Sequence, residues 1–517
     1  MNTIIENLNP YGRYQKFMLF IIGIPSALSA ITIYSTIFTA AEPGFFCENN
    51  DNTLSLKNNS EELCKIWSNT SIDYNCYFED EYYGDTIISD LVLICDRKFL
   101  ASLTQTFYFT GQFSGLFAGY FGDKYGRKRA SFILMCLLSV TMILTQILLL
   151  DVVKLNITGK YVIYSIEQFL IGAFVNSLYS SAYVLLLEST TSIYNTLFSN
   201  IMLTYYVLGE LIILLLAYFI RDWQIINLII AGLTTISTIV FYFLADESPK
   251  WYFEQKKYPE AIIVIKKIAR INKKSFDETQ FENEKKIYDE ESSNKMFNNK
   301  VSPIENMKIE ESNEGISMKT VLIEIFTPRK VLFKTLLIVY IWFASILLYF
   351  GISLGISGID SVNPYVLYIF QSLAEVAGYW LCLLNDKFGK RRMNIIYLIL
   401  SASVCLIVSL VPRNKDFDDE AKVLQDAVLI ISLISIGKFT VSASFNTLFV
   451  YTTELYDTRV RNFALVMCSC VGRLGSLISP QINFLGTIVW KTLPFLIFSI
   501  SAFIAAVFNF ILPEKSF

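Results

Sequence analysis

The sequence predicts an all-α membrane protein with twelve transmembrane helices in two pseudo-symmetric six-helix bundles. The 517-residue chain is 53% hydrophobic and 15% aromatic, which is too apolar for a soluble protein of this size. A basic loop with several glycines, at 119–129, lies between two apolar runs. A similar loop, at 385–392, recurs about half a chain later and again lies between apolar runs. Two copies of one loop at this spacing are typical of a duplicated membrane protein.

Twelve apolar runs are long enough to cross a bilayer, since a membrane-spanning helix needs ~20 residues. We number these runs spans 1 to 12 and use the numbers throughout. They cover residues 17–41, 101–121, 131–150, 161–187, 199–220, 225–245, 331–353, 364–384, 394–412, 425–452, 463–486 and 490–512.

The basic residues of the two repeated loops orient the chain, because positively charged loops stay in the cytoplasm. We therefore expect both termini, 1–16 and 513–517, to be cytoplasmic. The N-terminal bundle is predicted over 17–249 and the C-terminal bundle over 331–512. A charged cytoplasmic linker, 250–330, separates them.

Segment 42–100 is predicted to be extracellular and to hold the chain's disulfides and glycans. Four clustered cysteines, an even number in an oxidising compartment, predict one or two disulfides and leave the connectivity open. Asn58 and Asn69 begin glycosylation sequons in the same loop. The cysteines are Cys47, Cys64, Cys76 and Cys95. The other five cysteines lie in apolar runs and are expected to be small apolar fillers.

Two further predictions concern the linker. Residues 260–274 alternate apolar and basic positions at helical spacing, so we expect an amphipathic helix lying along the membrane surface. Residues 285–317 are rich in Asn, Glu, Lys and Ser and are expected to lack fixed structure.

Several sequence strings resemble one known family. Asp123–Arg129 and Asp386–Arg392 resemble the signature loops of the major facilitator superfamily. Three further strings narrow the resemblance, namely DLVLICD at 90–96, ELYDTRVRN at 454–462 and RLGSLISP at 473–480. Together with the large loop after span 1, they resemble the organic ion transporters, which include organic cation, organic anion and carnitine or zwitterion carriers. This resemblance implies a plasma-membrane carrier that works by alternating access.

The resemblance also implies a cytoplasmic gate made of salt bridges at the inner ends of the spans. Arg127 would pair with Glu188 and Glu247 in the first half, and Arg391 with Glu454 and Arg461 in the second. The alternative is that these charges serve topology alone. The complete predicted set is Asp123, Arg127, Glu188, Glu247, Asp386, Arg391, Glu454 and Arg461.

Charged residues inside the spans are the strongest candidates for a binding site, because a charge in lipid is costly and normally faces a cavity or a partner. Glu167, Glu210, Glu375, Lys438 and Arg473 lie in such positions. Two alternatives stay open. Lys438 could merely neutralise Glu375 or Glu210, and Glu210 could be a buried, protonated acid.

Aromatic side chains on the same spans form a second candidate set. Spacing alone makes them helix packing, whereas the resemblance implies that they line the cavity, where rings suit flat or quaternary-ammonium substrates. They are Phe113, Tyr179, Tyr206, Trp342, Tyr349, Phe445 and Phe449.

Arg473 decides whether a negatively or a positively charged substrate is expected. The matched position resembles an aspartate in the family's cation carriers and an arginine in its anion and carnitine carriers. A guanidinium grips a carboxylate with two hydrogen bonds, and Glu375 offers an ammonium-binding group. The small neighbours Cys470, Gly472 and Gly475 are expected to leave room for a ligand beside the guanidinium. We therefore expect a zwitterion or anion, although an Arg473–Glu375 pair in the empty carrier would explain the same residues.

The alternatives to this interpretation are an organic cation carrier, a sugar-type porter and a non-transporting receptor or sensor with the carrier fold. The last arises because Ser189–Thr191 replace the proline and arginine that relatives carry after Glu188. The chain contains no histidine, which removes histidine-based catalysis and zinc sites. We expect no enzyme activity, cofactor, metal or nucleic acid. The expected partners are a small organic ion and the bilayer. We expect a monomeric carrier, and a co-transported ion stays open.

Overall fold

A computed structural model of the chain describes residues 2–42, 44–49, 55–57, 64, 74–78, 82–149, 155–301, 327, 329–355, 363–411, 420–456 and 461–514. All twelve predicted spans correspond to helices. The chain begins with α1 (Asn2–Asn7) and α2 (Arg13–Thr39), which is span 1. The following loop carries β1 (Phe45–Asn49), β2 (Ser55–Lys57), β3 (Tyr74–Phe78) and α3 (Ile87–Asp90).

The remaining helices of the first half follow in order. Span 2 is α4 (Lys98–Gly111) with α5 (Gly115–Tyr125), and spans 3 to 6 are α6 (Arg127–Leu149), α7 (Ile157–Glu188), α8 (Asn195–Ile220) and α9 (Trp223–Leu244). The linker contains α10 (Pro249–Glu254), α11 (Tyr258–Asn272) and α12 (Glu278–Val301).

The second half repeats the arrangement. Spans 7 to 12 are α13 (Arg329–Leu354), α14 (Pro364–Leu381) with α15 (Asn385–Phe388), α16 (Lys390–Leu410), α17 (Glu420–Leu455), α18 (Arg461–Gly472) with α19 (Leu474–Ile488), and α20 (Leu493–Ile511). Within the described residues, eleven helices are long and apolar enough to cross a membrane. Span 2 is absent from that set, and a 3₁₀ turn at Gln112–Ser114 divides it into two shorter helices.

The packing of the helices has the expected two-fold pseudo-symmetry. Span 1 packs on spans 4, 5 and 6, and span 7 packs in the same way on spans 10, 11 and 12. Span 3 packs on spans 4 and 6, and span 9 on spans 10 and 12. The two bundles meet where span 5 packs on span 8 and where span 2 packs on span 11. These two seams surround the interface at which a duplicated carrier fold places its binding site.

Local sequence explains where several spans begin. Asn156 caps span 4, and its side chain accepts from the amide of Gly159 at 2.8 Å. Asp222 caps span 6 by accepting from the amide of Gln224 at 2.8 Å. Asn363 caps span 8 and is followed by Pro364 at the first helical position. Side-chain acceptors at these positions satisfy amides that a helix start leaves free, and proline there loses nothing.

The loop between spans 1 and 2 forms a small three-stranded sheet in the order β2-β1-β3. Cys64 and Cys95 form a disulfide, and Cys47 lies directly opposite Cys76 across β1 and β3. We call this side of the protein the disulfide face, and the opposite side, with the loops at Gly126 and Gly389, the signature-loop face. Asn58 and Asn69 lie outside the described residues. The five cysteines in the spans are free thiols, and three of them, Cys382, Cys405 and Cys468, are buried.

The linker differs from its prediction in two respects. The amphipathic helix is present as α11, but its apolar side is buried by protein, with Ala261, Ile265 and Ile268 nearly inaccessible. Asn272 at its end accepts from the amide of Tyr14 at 3.0 Å and donates to the carbonyl of Leu8 at 2.8 Å. The apolar stripe was therefore a packing surface for the N-terminal segment and not a membrane-binding surface.

The second difference concerns 285–317, which was expected to lack structure. The helix α12 continues through its first part, to Val301. Phe281 of α12 packs edge-on against Phe253, and Asp289 accepts from the hydroxyl of Tyr258 at 2.6 Å. The amino-acid composition alone could not reveal these contacts of α12. Residues 302–317 lie outside the described part.

Candidate functional site

The most buried charges of the protein form an ion pair at the interface between the bundles. Lys438 of span 10 lies 2.7 Å from Glu375 of span 8, and the two side chains are 1% and 0% exposed. The Lys438 ammonium also donates to the hydroxyl of Ser353 at 2.7 Å and lies 3.5 Å from the ring centre of Tyr349. The ion pair between Lys438 and Glu375 that the sequence left open is therefore formed.

Two tyrosines complete the surroundings of Glu375. The hydroxyls of Tyr349 and Tyr379 each donate to its Oε1 at 2.5 Å, and they lie 3.1 Å from one another. Hydrogen bonds to a carboxylate in a water-poor interior are strong. Glu375 is thus compensated in charge and in hydrogen bonding, and it is not a vacant ammonium-binding group in this structure.

Glu210 of span 5 lies beside this pair but has different surroundings. It is 1% exposed, and its Oε2 accepts from the hydroxyl of Ser372 at 2.8 Å. Its Oε1 is buried without a hydrogen-bond partner among the described residues. Ser372 belongs to span 8, so this contact joins the two bundles. Glu210 interacts electrostatically with both Glu375 and Lys438.

Arg473 lies at the other seam, where span 2 meets span 11. Its guanidinium donates to the side-chain oxygen of Gln112 at 2.8 Å. None of the described carboxylates forms an ion pair with it, so the expected alternative of an Arg473–Glu375 pair is not formed. Tyr108, Tyr179 and Tyr206 lie near enough to the guanidinium to interact with it electrostatically. Arg473 is a permanent cation whose contact in this conformation is a neutral amide.

Both helices that carry this contact are interrupted at it. Gln112 begins the 3₁₀ turn of span 2, and Arg473 separates α18 from α19 in span 11. The small residues near Arg473 were expected to leave room for a ligand. Gly472 and Gly475 instead let span 11 approach span 7, because an added Cβ would lie 2.8 Å from Trp342 and 2.4 Å from the carbonyl of Phe343.

The predicted aromatic residues fall into two groups around these charges. In the C-terminal bundle, Trp342 packs edge-on against Phe449 at 4.8 Å, and Tyr349 stacks on Phe445 at 5.4 Å. In the N-terminal bundle, Tyr206 packs edge-on against Tyr179 at 6.2 Å. Phe113 lies in the turn next to Gln112 and is half-buried. Trp342 is fully buried and donates to Thr452 at 2.9 Å, so its position is that of a packing residue.

At the signature-loop face of the first half, the predicted charges come together. Arg127 forms ion pairs with Asp123 at 2.7 Å and Glu188 at 3.0 Å. The predicted pair of Arg127 with Glu247 is not formed among the described residues. The Glu247 carboxylate instead lies at the start of span 3, where it accepts from the amide of Lys128 at 2.9 Å. A carboxylate at a helix N-terminus interacts favourably with the helix dipole. Burial nevertheless raises the pKa of Glu247 above its ordinary value.

The second half repeats these contacts with one change of partner. Glu454 forms its ion pair with Lys390, whereas Arg391 donates to the carbonyls of Asn509 and Phe510 at the end of span 12. The predicted pair of Arg391 with Glu454 is therefore wrong, because Glu454 pairs with Lys390, the residue before Arg391. Lys390 occupies the position in its loop that Arg127 occupies in the first loop. The side chains of Asp386 and Arg461 lie outside the described part.

Glu514 belongs to this arrangement but was not among the residues predicted from the sequence. A Cβ at Gly389 would lie 2.2 Å from its Oε1, as a Cβ at Gly126 would lie 2.3 Å from Oε2 of Glu247. Both glycines have positive φ, +89° and +103°, which favours glycine. Glu514 follows span 12 as Glu247 follows span 6. The distance between these acids along the chain is close to that between the two loops, and this signal could have identified Glu514.

Several contacts between the bundles lie toward the disulfide face, whereas Asn446 of span 10 donates to Asn200 of span 5 nearer the signature-loop face, at 3.0 Å. The Tyr365 hydroxyl donates to the carbonyl of Tyr82 at 2.8 Å, and its ring stacks on Phe38 at 5.5 Å. At the other seam, Gln481 donates to Thr106 at 2.8 Å. On the signature-loop side, the ion pairs of Arg127 and Lys390 each stay within one bundle. The conformation is thus closed at the disulfide face.

The architecture and its paired loops define a class of membrane carriers, and comparison with known proteins identifies the family. A family model described as Major Facilitator Superfamily matches residues 96–480. The chain belongs to the major facilitator superfamily. The solved structure of a D-xylose-proton symporter has the same fold, with a TM-score of 0.61, 11% identity, and coverage of 98% of this chain and 100% of that one.

Several curated relatives are named as organic cation transporters. An "Organic cation transporter protein" of Drosophila melanogaster is 24% identical and aligns with 99% of this chain and 92% of its own length. "Organic cation transporter 1" of Caenorhabditis elegans is 26% identical over 99% of this chain and 85% of its length. "Organic cation/carnitine transporter 2" of Homo sapiens is 25% identical over 85% and 71%. The predicted resemblance to organic ion transporters is confirmed, and the chain is a multi-pass membrane protein of the major facilitator superfamily.

Proposed function

We propose that this transporter moves small organic ions that bear a carboxylate, either zwitterions or anions, in preference to simple cations. Arg473 is the observation that carries the proposal. It is a permanent cation at the bundle interface whose contact is the amide oxygen of Gln112. A carboxylate could replace that amide and form the stronger, charge-assisted contact.

The surroundings of the other buried charges also favour a substrate that carries a carboxylate. Lys438 already balances Glu375, so this pair adds no net charge to the site. A carboxylate that entered near Arg473 would meet the phenols of Tyr108, Tyr179 and Tyr206, which can donate hydrogen bonds and offer ring surface. The cationic end of a zwitterion would lie against these ring faces and not against Glu375.

The mechanism we propose is alternating access in the plasma membrane, with the signature-loop face in the cytoplasm. Substrate would bind between the seams, and the bundles would rock about it. Opening the disulfide face would break the contacts of Tyr365 and Gln481. The ion pairs of Arg127 and Lys390 would then hold the cytoplasmic ends of the spans in register. We propose that the carrier works as a monomer.

An organic cation carrier is the second candidate, because the relatives named above include organic cation transporters. A non-transporting sensor is the third. Residues 189–191, a serine and two threonines that stand in place of the family's proline and arginine, are buried, and the carbonyl of Thr190 accepts from Lys250 at 2.9 Å. The residues that replace the family's proline and arginine after Glu188 thus form contacts of their own at the signature-loop face.

Uptake into liposomes that contain the purified protein separates these candidates. The probes are L-carnitine as zwitterion, hippurate as carboxylate and tetraethylammonium as cation, with protein-free liposomes as the control. We expect saturable uptake of L-carnitine or hippurate that exceeds uptake of tetraethylammonium. Preference for tetraethylammonium would support the cation carrier instead. Binding without uptake of any probe would support the sensor.

A further inference from the structure

We propose that Glu210 carries a proton while the bundles are closed, and that the carrier moves this proton together with its substrate. The first part rests on the geometry of Glu210. The second part also rests on the proposed transport function. The sequence left open that Glu210 is a buried, protonated acid, but it could not decide which of Glu210 and Glu375 would hold the proton, since both are acids inside predicted spans.

The charges of the cluster do not balance if both acids are ionised. Glu210 and Glu375 would bring two negative charges, and Lys438 brings one positive charge. The ammonium is 2.7 Å from Glu375, donates to Ser353 and faces the ring of Tyr349. Glu375 therefore takes the available cation. An unpaired carboxylate in the interior is strongly disfavoured, and such a group becomes neutral or binds a cation.

The hydrogen bonds of Glu210 fit the neutral form. Ser372 donates to Oε2 at 2.8 Å, and Oε1 is buried without a hydrogen-bond partner in the described part of the chain. An ionised carboxylate has several acceptor sites to satisfy, which leaves this oxygen poorly compensated. A proton on Oε1 removes the charge while Ser372 keeps its acceptor.

The groups that face Glu210 do not supply the missing positive charge. The neighbouring acid Glu375 adds repulsion that favours the neutral form. The other neighbours are neutral phenols, from span 1, span 8 and the helix of Glu210 itself. One of them, the hydroxyl of Tyr34, lies near enough to the Glu210 carboxyl group to favour its charged form in part, but it brings no positive charge. The charged and titratable neighbours are Glu375, Lys438, Tyr34, Tyr206, Tyr368 and Tyr379.

The position of Glu210 links its proton to the movement of the bundles. Glu210 belongs to the N-terminal bundle and Ser372 to the C-terminal bundle, at the seam between spans 5 and 8. Separation of the bundles breaks this contact and lets water reach the carboxyl group, which can then exchange its proton. If Arg473 takes one carboxylate and Glu210 one proton, a monocarboxylate crosses with no net charge.

Infrared spectroscopy of the purified protein tests the proton without any substrate. We expect the absorption band of a protonated carboxyl group, and we expect Glu210→Gln to reduce it. Glutamine has nearly the same shape and charge as a neutral glutamic acid, so this variant should fold. An unchanged band would overturn the proposal. Failure of Glu210→Gln to fold would overturn it too, because the anion would then be required.

A proton gradient tests the coupling. With one proton per hippurate, an inward gradient of one pH unit should raise its accumulation up to about tenfold, and Glu210→Gln should abolish this increase. Glu167→Gln is the matched control, since Glu167 is also 1% exposed but interacts with Thr145 and Gln146 of span 3. It should keep the increase.

The outcomes distinguish this inference from the proposed function. Uptake that ignores the gradient would overturn the coupling and leave the transport proposal intact. Absence of any uptake would overturn the transport proposal and the coupling with it, while the infrared band would still decide whether Glu210 holds a proton. Equal loss of the gradient effect in Glu210→Gln and Glu167→Gln would show that Glu210 has no particular role.

Discussion

Lys438 and Arg473 are both cations in the middle of predicted spans, yet the structure gives them opposite surroundings. Lys438 is enclosed in an ion pair with Glu375, and its remaining contacts are a hydroxyl and a ring. Arg473 contacts a neutral amide, and no ion pair to it is formed among the described residues. Position in a span therefore does not reveal function. What distinguishes the two is whether the protein itself provides the counter-charge.

The difference between Lys438 and Arg473 can be tested most directly by substituting Lys438. Lys438→Ala leaves Glu375 buried and unpaired, which should lower the free energy of unfolding by about 3–5 kcal/mol. Thermal unfolding of the purified protein in detergent measures the loss. The double variant Lys438→Met with Glu375→Gln removes both charges and should recover most of the stability. If Arg473→Ala were as destabilising as Lys438→Ala, the two cations would have the same structural role.

A smaller effect is expected at the repeated ion pairs of the signature-loop face. Lys390→Ala removes the partner of Glu454, and exposed pairs contribute ~0–1 kcal/mol. Uptake should therefore slow by up to about fivefold, since ~1.4 kcal/mol corresponds to tenfold. Exchange of the charges, with Lys390→Glu and Glu454→Lys together, should restore part of the rate. Unchanged uptake at matched protein content in Lys390→Ala would show that the pair serves topology alone.

The smallest predicted effect concerns pH and Glu247. Burial raises its pKa in the folded protein, so the folded state holds this proton to a higher pH than the unfolded chain does. Stability from this group is then greatest below the ordinary carboxyl pKa and falls as pH rises through the raised value. The stability of wild type relative to Glu247→Gln should increase as pH is lowered from 7 toward 5. A constant difference across this range would contradict the assignment.

The fold could be predicted well from the sequence because the signals that define it are properties of single segments. Length and hydropathy locate a membrane helix, and the loops at Gly126 and Gly389 reveal the duplication without any knowledge of packing. The predictions that failed required knowledge of partners. The apolar stripe of α11 has the same pattern whether lipid or protein covers it. The ion pair of Glu454 was assigned to Arg391 instead of Lys390 because a shift of one residue changes nothing in the pattern.

The candidate site was predictable as a set of residues but not as an arrangement. Sequence placed Glu210, Glu375, Lys438 and Arg473 inside spans. It could not determine which acid Lys438 would neutralise, because that depends on how spans 5, 8 and 10 meet. The two glycines beside Arg473 were misread for the same reason, since small residues serve a ligand and close helix packing equally well.

The proposed function depends most on Arg473, which we propose binds the carboxylate of the substrate. Binding of L-carnitine and of its methyl ester, which lacks the free carboxylate, should be measured on wild type and Arg473→Ala. We expect the variant to bind L-carnitine about tenfold or more weakly, since ~1.4 kcal/mol is tenfold, and to bind the ester with little change. Arg270→Ala, which removes an exposed arginine of α11, should bind both as wild type does. Equal weakening of both ligands in Arg473→Ala would contradict the claim and make Arg473 a structural residue.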